Sequence, residues 1–492
     1  MSLPKRIETI VEDALANYTP QKLRTDKIIH DPILGTQRFY MHEVHIIDCP
    51  LVQRLKRIHQ LGPAYQVYPS ATHSRFEHSL GACTAATRMF RELELPGAMR
   101  PEYDYLDEKT LRTLRIAALL HDIGQGPFSH TSEIFMDQCD EIRQLKATRQ
   151  FEGRNAHEIV SYLIVSSGPF QDLLHQVTKN YNTSFDAKAV ADLIIGHVQD
   201  SNDQWMADIL YDPFDADKVD YVKRDAHFTG LPISIDQERI FYSMLIEHNP
   251  ETGRREIVYD GIGLPALEQM LFNKIFLYST VYHQHKVRAT AQMISMLLHS
   301  LEDRGSIESV ADLVTLDDLD FITSKLKPEK KASSLMQDVR DRRLFKRAVV
   351  ISENTIKSPL HSLQELEGLR NDTRNLDDLK NDIIQGIQGC NRFDVAIDIP
   401  PLPPLGEPSR TRIRMSPGMD GIKTIDKLFP VKKWLDSYAT YKWRGHVFAR
   451  GDHRRKVGKK SFGVLRDWFD LELSKEALTL AKYSEEEERN DP

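Results

Sequence analysis

LRIAALLHDIGQGPFSH, residues 114–130, is an apolar run at helical spacing that ends in His121-Asp122 and breaks at Gly124, Gly126 and Pro127. Two adjacent metal-ligand residue types therefore sit at the mouth of a helix. Taken alone, the pair has an ordinary structural reading: a protonated histidine favours a helix C-terminus, and an aspartate can cap the turn that follows. Its company shifts the balance. His78 lies in SRFEHSLGACTAATRMFREL (74–93), whose Gly81, Ala82, Ala85 and Ala86 suit a tightly packed helix. Asp217, with Asp215 beside it, lies in PFDADKVDYVKRDAHFTG (213–230), where Asp217, Tyr221 and Asp225 fall four apart on one helix face. The imidazoles of His78 and His121 and the carboxylates of Asp122 and Asp217 make an N2O2 donor set with room for water. Such a set suits one divalent metal (Mn, Fe, Zn, Co or Mg) better than a closed structural zinc.

Outward from this stretch, helical patterns dominate. LVQRLKRIHQLG (51–62) is expected as a helix closed by Gly62-Pro63, and 109–123 and about 128–139 as two more, followed by a polar connection through Arg154. Asn155 precedes Glu158 at capping-box spacing and opens another helix, and Pro265 opens a long one running to about Leu301. Short strands are expected at Ile28-Ile29, at Val44, Ile46 and Ile47, and at Ala348 to Ile351. Lys325, Lys327, Lys330 and Lys331 cluster, and residues 398–410 are proline-rich. Four segments result: a lead-in (1–25), a core (26–350), a C-terminal region (351–483) and an acidic tail (484–492). His59, His175, His197 and His227 read as satisfied helix-face histidines.

The 492 residues are 40% hydrophobic and 28% charged, without an apolar run of roughly 18 residues able to span a bilayer or a secretory h-region, so a cytoplasmic protein without membrane contact is expected. Cys49, Cys83, Cys139 and Cys390 lie far apart with no CxxC, which fits reduced thiols. A net charge of −7 argues against nucleic acid as a bulk partner. The stretch 432–460 interleaves Trp434, Tyr438, Tyr441 and Trp443 with basic residues; it reads as a solvated amphipathic element or a surface that stacks single-stranded bases.

RFEH (75–78), HDIGQGPFSH (121–130), HE (157–158) and DADKVDYVKRD (215–225) together resemble the HD-domain phosphohydrolases. The likeness is greater to the dNTP triphosphohydrolases, in particular the bacterial relatives of the vertebrate SAM-and-HD-domain enzyme. DPILG (31–35), IIDCPLVQRLKRIHQLG (46–62), YHQHK (282–286) and RRLFK (342–346) extend it over residues 25–350. The fold it implies is mainly α, an HD helical core with small β elements, here with an α+β C-terminal region. The resemblance makes His78, His121, Asp122 and Asp217 the metal ligands, with the metal polarising a phosphoryl oxygen and activating water. It makes His157 the catalytic acid supported by Glu158, and places His130 and Glu133 where the family has a phosphate-contacting histidine and a carboxylate that buttresses the catalytic one. Glu158 also reads as the capping-box residue. For the nucleotide, Arg75 and Lys218 match phosphate contacts, Tyr221 the aromatic against the sugar, Asp225 a 3′-hydroxyl acceptor, and Gln60-Leu61 the deoxyribose-reading pair.

Two departures bear on substrate. Gln125 stands where those relatives carry a second histidine. In KIFLYSTVYH, Ile275, Ser279 and His283 occupy the places of an arginine, a histidine and a tyrosine around the triphosphate and base, with Lys274 near enough to substitute. Lys27, Asp48 and Gln53 match guanine-reading positions of a regulatory nucleotide site, Lys56 replaces an arginine there, and Arg342, Lys346, His285 and Lys286 match groups contacting a second nucleotide between subunits. These are equally read as surface charges; as a site, they imply a dimer or tetramer activated by assembly. The expected activity is metal-dependent hydrolysis of deoxynucleoside triphosphates. The alternatives are another nucleotide or phosphate ester, or a silent nucleotide- or nucleic-acid-binding protein.

Overall fold

The computed structural model describes residues 1–19, 23–94, 106–303, 305–322, 330–357, 366, 368–369, 372–400, 411–415 and 421–481. Helices form most of the molecule. Arg75–Leu93 and Glu108–Leu120 pack along each other, and Ala216–Thr229 lies against the first of them. That packing is close because of glycine: a Cβ on Gly81 would stand 2.0 Å from the Asp220 carboxylate, so only glycine lets the two helices meet there. The core runs through Phe90, Leu114, Ile116, Leu119, Ile123, Trp205 and Phe214, all buried.

Three small sheets decorate the helices. Lys27–Asp31 and Gly35–Phe39 form a hairpin in register from Lys27 opposite Phe39 to Asp31 opposite Gly35. Met244–Asn249 and Arg254–Asp260 form an antiparallel pair, extended by Arg412–Arg414 in parallel and then Ile422–Thr424. In the third sheet Gly445–Ala449 runs antiparallel between Lys346–Ile351 and Val395–Asp398. This last sheet and the helices Thr373–Ile384 and Arg454–Phe469 share a second hydrophobic cluster that includes Val349, Leu379, Val395, Val447 and Leu465. The mainly α class with an α+β C-terminal region is thus the observed one.

Several sequence expectations need correction. Val44, Ile46 and Ile47 are helical, in Met41–Ile47, where a buried Glu43 closes the first turn onto Tyr40 N. The expected 51–62 helix is two pieces, Pro50–Arg54 and the 3-10 turn Leu55–Arg57, because backbone from Ile58 to Gln60 turns to bond Arg75 and His73. The polar connection before Arg154 contains a helix, Asp140–Lys146. The long helix after Pro265 is broken: Leu264–Leu277 passes through a π turn at Tyr278–Tyr282 and restarts at His285–Glu302, capped by the Gln284 side chain. The basic aromatic stretch is the expected amphipathic element: Tyr438 and Trp443 are buried, with Trp443 Nε1 donating to Pro400 O at 2.9 Å, Trp434 lies half-buried on the exposed Phe272 and on Phe429, and Lys432, Lys433, Tyr441, Lys442, Lys456, Lys459 and Lys460 face solvent. Lys325, Lys327, residues 401–410 and the tail 484–492 lie outside the described residues, as do the side chains of Lys330 and Lys331. Among the described residues no helix is long and apolar enough to cross a membrane.

Candidate metal and phosphate site

Local capping aims the candidate ligands. Ser74 and Glu77 form a capping box that starts Arg75–Leu93 and sets His78 in its first turn. Glu108–Leu120 ends with His121 as its C-cap. Asp215 caps Ala216–Thr229 by accepting from Lys218 N at 2.7 Å, and Gly230, at φ +72°, ends that helix in the left-handed conformation. The HD turn then packs backbone to backbone on the Ala156–Ser166 helix. A Cβ on Gly124 would come within 2.4 Å of Ser161 N, and Gly124 N donates to Ser161 Oγ at 2.8 Å.

Four side-chain atoms converge as a result. His78 Nε2 is 2.9 Å from Asp217 Oδ1 and 3.6 Å from Asp122 Oδ2, and His121 Nε2 is 3.5 and 3.7 Å from Asp122 Oδ2 and Asp217 Oδ1. Ligands about 2.1 Å from one metal are separated by roughly 3.0 Å in an octahedron and about 3.4 Å in a tetrahedron, so the spacing matches a single divalent ion. The donor chemistry fits as well: both Nε2 atoms are buried without a well-formed hydrogen bond. Each imidazole is aimed from behind. His78 Nδ1 contacts Asp220 Oδ2 at 2.8 Å and His121 Nδ1 contacts Ala118 O at 2.7 Å, which turns both Nε2 lone pairs inward. Asp220 is gripped at both oxygens by Arg224 at 2.8 Å, and Arg224 Nη1 reaches Asp31 Oδ2 at 2.8 Å. The hairpin of the DPILG segment is thereby wired to the centre.

Beside it stands a histidine–carboxylate–histidine relay. Glu133 bridges His157 Nδ1 and His130 Nδ1, the latter at 2.5 Å. Arg75 Nη2 lies 3.0 Å from His130 Nε2; an arginine only donates, so His130 accepts there and carries its proton on Nδ1 toward Glu133. Burial alone would raise the Glu133 carboxyl, but His157 and His130 hold it well below the usual range. Burial likewise works to strip His157 of its proton, and Glu133 overcomes this, raising His157 to about 9. His157 Nε2 faces Asp122 Oδ1 at 3.5 Å. The backbone bringing His130 into place is strained: Phe128 and Ser129 have φ of +57° and +58°, a region that costs on the order of 1–3 kcal/mol for such residues.

His121, Asp122, His130, Glu133, His157 and Asp217 line one cavity of about 1060 Å³, with His78 fully buried behind its wall; the cavity also takes in Gln60, Leu61, Arg75, Glu158, Lys218, Tyr221, Asp225, Lys274, Tyr278, Tyr282, His283 and Arg288. Arg75 is buried and pairs with Asp122 at 2.5 Å, and Lys218 pairs with Asp215 at 2.5 Å. Glu158 performs the capping role: it accepts from Asn155 N at 2.9 Å and from Tyr211 OH at 3.0 Å. Asp225 is held by His73 Nε2 at 2.9 Å and Tyr282 OH at 2.6 Å. Gln60 Oε1 is buried without a hydrogen-bond partner.

Two calls need correction. Gln125 is fully buried behind Asp122 rather than on the cavity wall, with Nε2 3.4 Å from Asp122 Oδ1. Lys274, Tyr278 and Tyr282, four apart on one face, line the cavity together with His283, whereas Ile275 and Ser279 do not. Lys27, Asp48, Gln53, Arg342 and Lys346 lie away from this cavity. Lys27 pairs with Asp48 at 2.8 Å, Lys56 Nζ donates to Gln53 at 2.7 Å, and Arg342 Nε donates to Gln66 O at 2.9 Å. Burial lowers the Lys286 pKa, and Lys346, Arg342, Arg454 and Arg347 lower it further, which marks a concentration of cations. Asp220, Arg224, Asp31, His73 and Tyr282 went unnoticed in the sequence. The Asp220–Arg224 spacing of four was the available signal; His73 offered none.

Comparison with known proteins gives the following. A profile for the HD domain matches residues 75–223, and one for an HD associated region matches residues 235–477. The chain is 34% identical over 237 residues to the deoxynucleoside triphosphate triphosphohydrolase SAMHD1 of Bos taurus, covering 44% of this chain and 38% of that protein. It is 26% identical over 370 residues to a SAMHD1 homolog of Dictyostelium discoideum, covering 71% and 65%. It spans 60% of an uncharacterized Mycoplasma pneumoniae protein that is 29% identical over 280 residues, 56% of this chain. A crystal structure of a hypothetical protein from Aquifex aeolicus has the same fold, with TM-score 0.63 at 22% identity over 89% of this chain and 100% of that one.

Proposed function

We propose that this chain, which belongs to the HD-domain phosphohydrolases, hydrolyses deoxynucleoside triphosphates to the deoxynucleoside and triphosphate. The observation that carries the reading is the cluster of His78, His121 and Asp217, with Asp122 Oδ2 3.6 and 3.5 Å from the two imidazoles, beside the Glu133-buttressed His157 at one end of the cavity. A divalent metal held by the four residues would supply Lewis-acid polarisation of a phosphoryl oxygen.

The side chains divide the remaining work. Water attacks the α-phosphorus, a new P–O bond forms, and the bond from phosphorus to the 5′-oxygen breaks. His157, held protonated by Glu133, gives its Nε2 proton to the departing 5′-oxygen. Arg75, Lys218 and Lys274 place positive charge along the phosphates, Tyr221 packs on the sugar, Asp225 accepts from its 3′-hydroxyl, and Gln60-Leu61 read the deoxy position. Lys27, Asp48 and Gln53 would read a regulatory guanine nucleotide, and Arg342 and Lys346 would contact a second nucleotide between the subunits of a homo-oligomer.

One observation favours a second reading within the same family. Both oxygens of Asp225 are already engaged, by His73 and by Tyr282, and this suits a different nucleotide or phosphate ester. A product assay with Mn and each dNTP, NTP and a bis-phosphodiester decides. Inorganic triphosphate from dNTPs supports the first reading; phosphate or a nucleoside monophosphate from other esters replaces it with the second.

A further inference from the structure

We infer that Arg54 is the positioning residue that sets Asp122 for the metal, a role resting on the metal-site reading above. Arg54 ends the five-residue helix Pro50–Arg54 and is 4% exposed. A guanidinium that deep normally faces a carboxylate, because burying an unpaired charge is costly. Here every acceptor is a backbone carbonyl. Nη2 donates to Ile123 O at 3.0 Å and Gln125 O at 2.6 Å; Nη1 donates to Leu313 O at 3.2 Å and Leu316 O at 2.7 Å. Asp317 and Asp318 act on its charge through space.

The two Nη2 acceptors flank Gly124, directly after the ligand Asp122. This is the segment where the Glu108–Leu120 helix has ended and the carbonyls have lost their helical donors. Arg54 replaces those donors with one rigid, planar fork, and its other arm ties the turn to the Val310–Thr315 segment. The same clamp continues downstream, where Asp318 accepts from Phe128 N at 2.6 Å and from His59 N at 3.0 Å and so holds the strained Phe128-Ser129 step. Lysine at position 54 would keep the charge but could not present two parallel donors to two carbonyls on each side. The fork, rather than the charge, fixes the backbone that carries Asp122, while Arg75 Nη1, 2.5 Å from Oδ2, holds the carboxylate itself.

The test uses the full chain and reads Mn binding directly, by electron paramagnetic resonance of free Mn, so its outcome does not depend on which ester is the substrate. In Arg54→Ala we expect unchanged helical circular dichroism, Mn affinity weaker by about tenfold, the lower bound typical of residues that orient ligands from behind, and partial recovery on adding guanidinium but not methylammonium at equal ionic strength. Arg54→Lys covers the case in which the alanine variant does not fold; it should melt near the wild type and still bind Mn several-fold more weakly. Wild-type Mn affinity in either folded variant, or equal recovery with both cations, overturns the positioning role. Failure of the wild type to release triphosphate from any dNTP, with the Mn result intact, overturns the proposed substrate alone.

Discussion

At the metal end of the cavity carboxylates face the histidines, whereas at the opposite end burial and Arg288 act on His283. Burial opposes a proton everywhere, but near the candidate ligands the carboxylates prevail: Asp217 and Asp220 raise His78 to about 10, and Glu133 raises His157 to about 9. Across the cavity, burial and then Arg288 push His283 down to about 4. The contrast separates a centre rich in carboxylates, which draws a cation, from a wall where His283 stays uncharged beside the Arg288–Asp398 ion pair.

Removing a ligand should break the first half of this contrast most severely. Asp217→Ala is expected to lose Mn binding and to lower turnover by more than the roughly 100-fold that changes behind the ligands cost, with the helical circular dichroism kept. Full activity in that variant would sink the ligand set. His157→Ala comes next and separates proton transfer from metal binding: kcat should fall by about 10²–10⁴ while Mn affinity stays within a few-fold. An equal loss of both would make His157 part of the metal centre instead. Asp220→Asn should weaken Mn binding by about 10–100-fold, because the His78 ring loses the partner that orients it; unchanged Mn affinity would show that Arg224 and Asp220 only pack the helices.

The two ends also differed in legibility. His78 and Asp217 could be found because regular helices carry them and helical spacing translates directly into a face, and His121-Asp122 because they end the apolar helix Glu108–Leu120. The His157 and Glu158 pair was legible for the same reason, including the capping role that Glu158 performs. Past Lys274 the expected positions, Ile275 and Ser279, fall one residue off the face that carries Lys274, Tyr278 and Tyr282 into the cavity. Arg54 and His73 escaped because their partners, the carbonyls of 123, 125, 313 and 316 and the Asp225 carboxylate, are 69 or more residues away. Val44 to Ile47 were misread as strand because a fully buried helix has no polar face to reveal its period.

Tyr282→Phe probes the wall beside His283 at little cost to the fold. It deletes one hydrogen bond to Asp225, worth about 0.5–1.5 kcal/mol net, so KM for the preferred nucleotide should change by roughly two- to tenfold with Mn affinity unaltered. No change in KM would mean that Asp225 and Tyr282 do not meet the sugar.

The smallest effect we expect is on stability, and its sign follows from His283. In the fold its pKa is depressed to about 4, while in the unfolded chain it titrates near 6.5. Between those values the unfolded chain binds more protons, so stability rises with pH across that window and is at its full value above about 6.5. His446, also lowered by burial despite Asp398 beside it, acts in the same direction. Asp398 itself is depressed, because Arg288 and His446 overcome its burial, so its contribution fades only below the ordinary carboxylate range near 3.9 and leaves the window clear. Asp208 and Asp215, raised to about 7 by burial, and Asp212, raised with them, act in the opposite direction across the same window. The His283 contribution is therefore read as a difference: the melting temperature of the wild type minus that of His283→Asn should fall between pH 7 and pH 5, and a difference that does not change with pH would show that His283 is not held neutral in the fold.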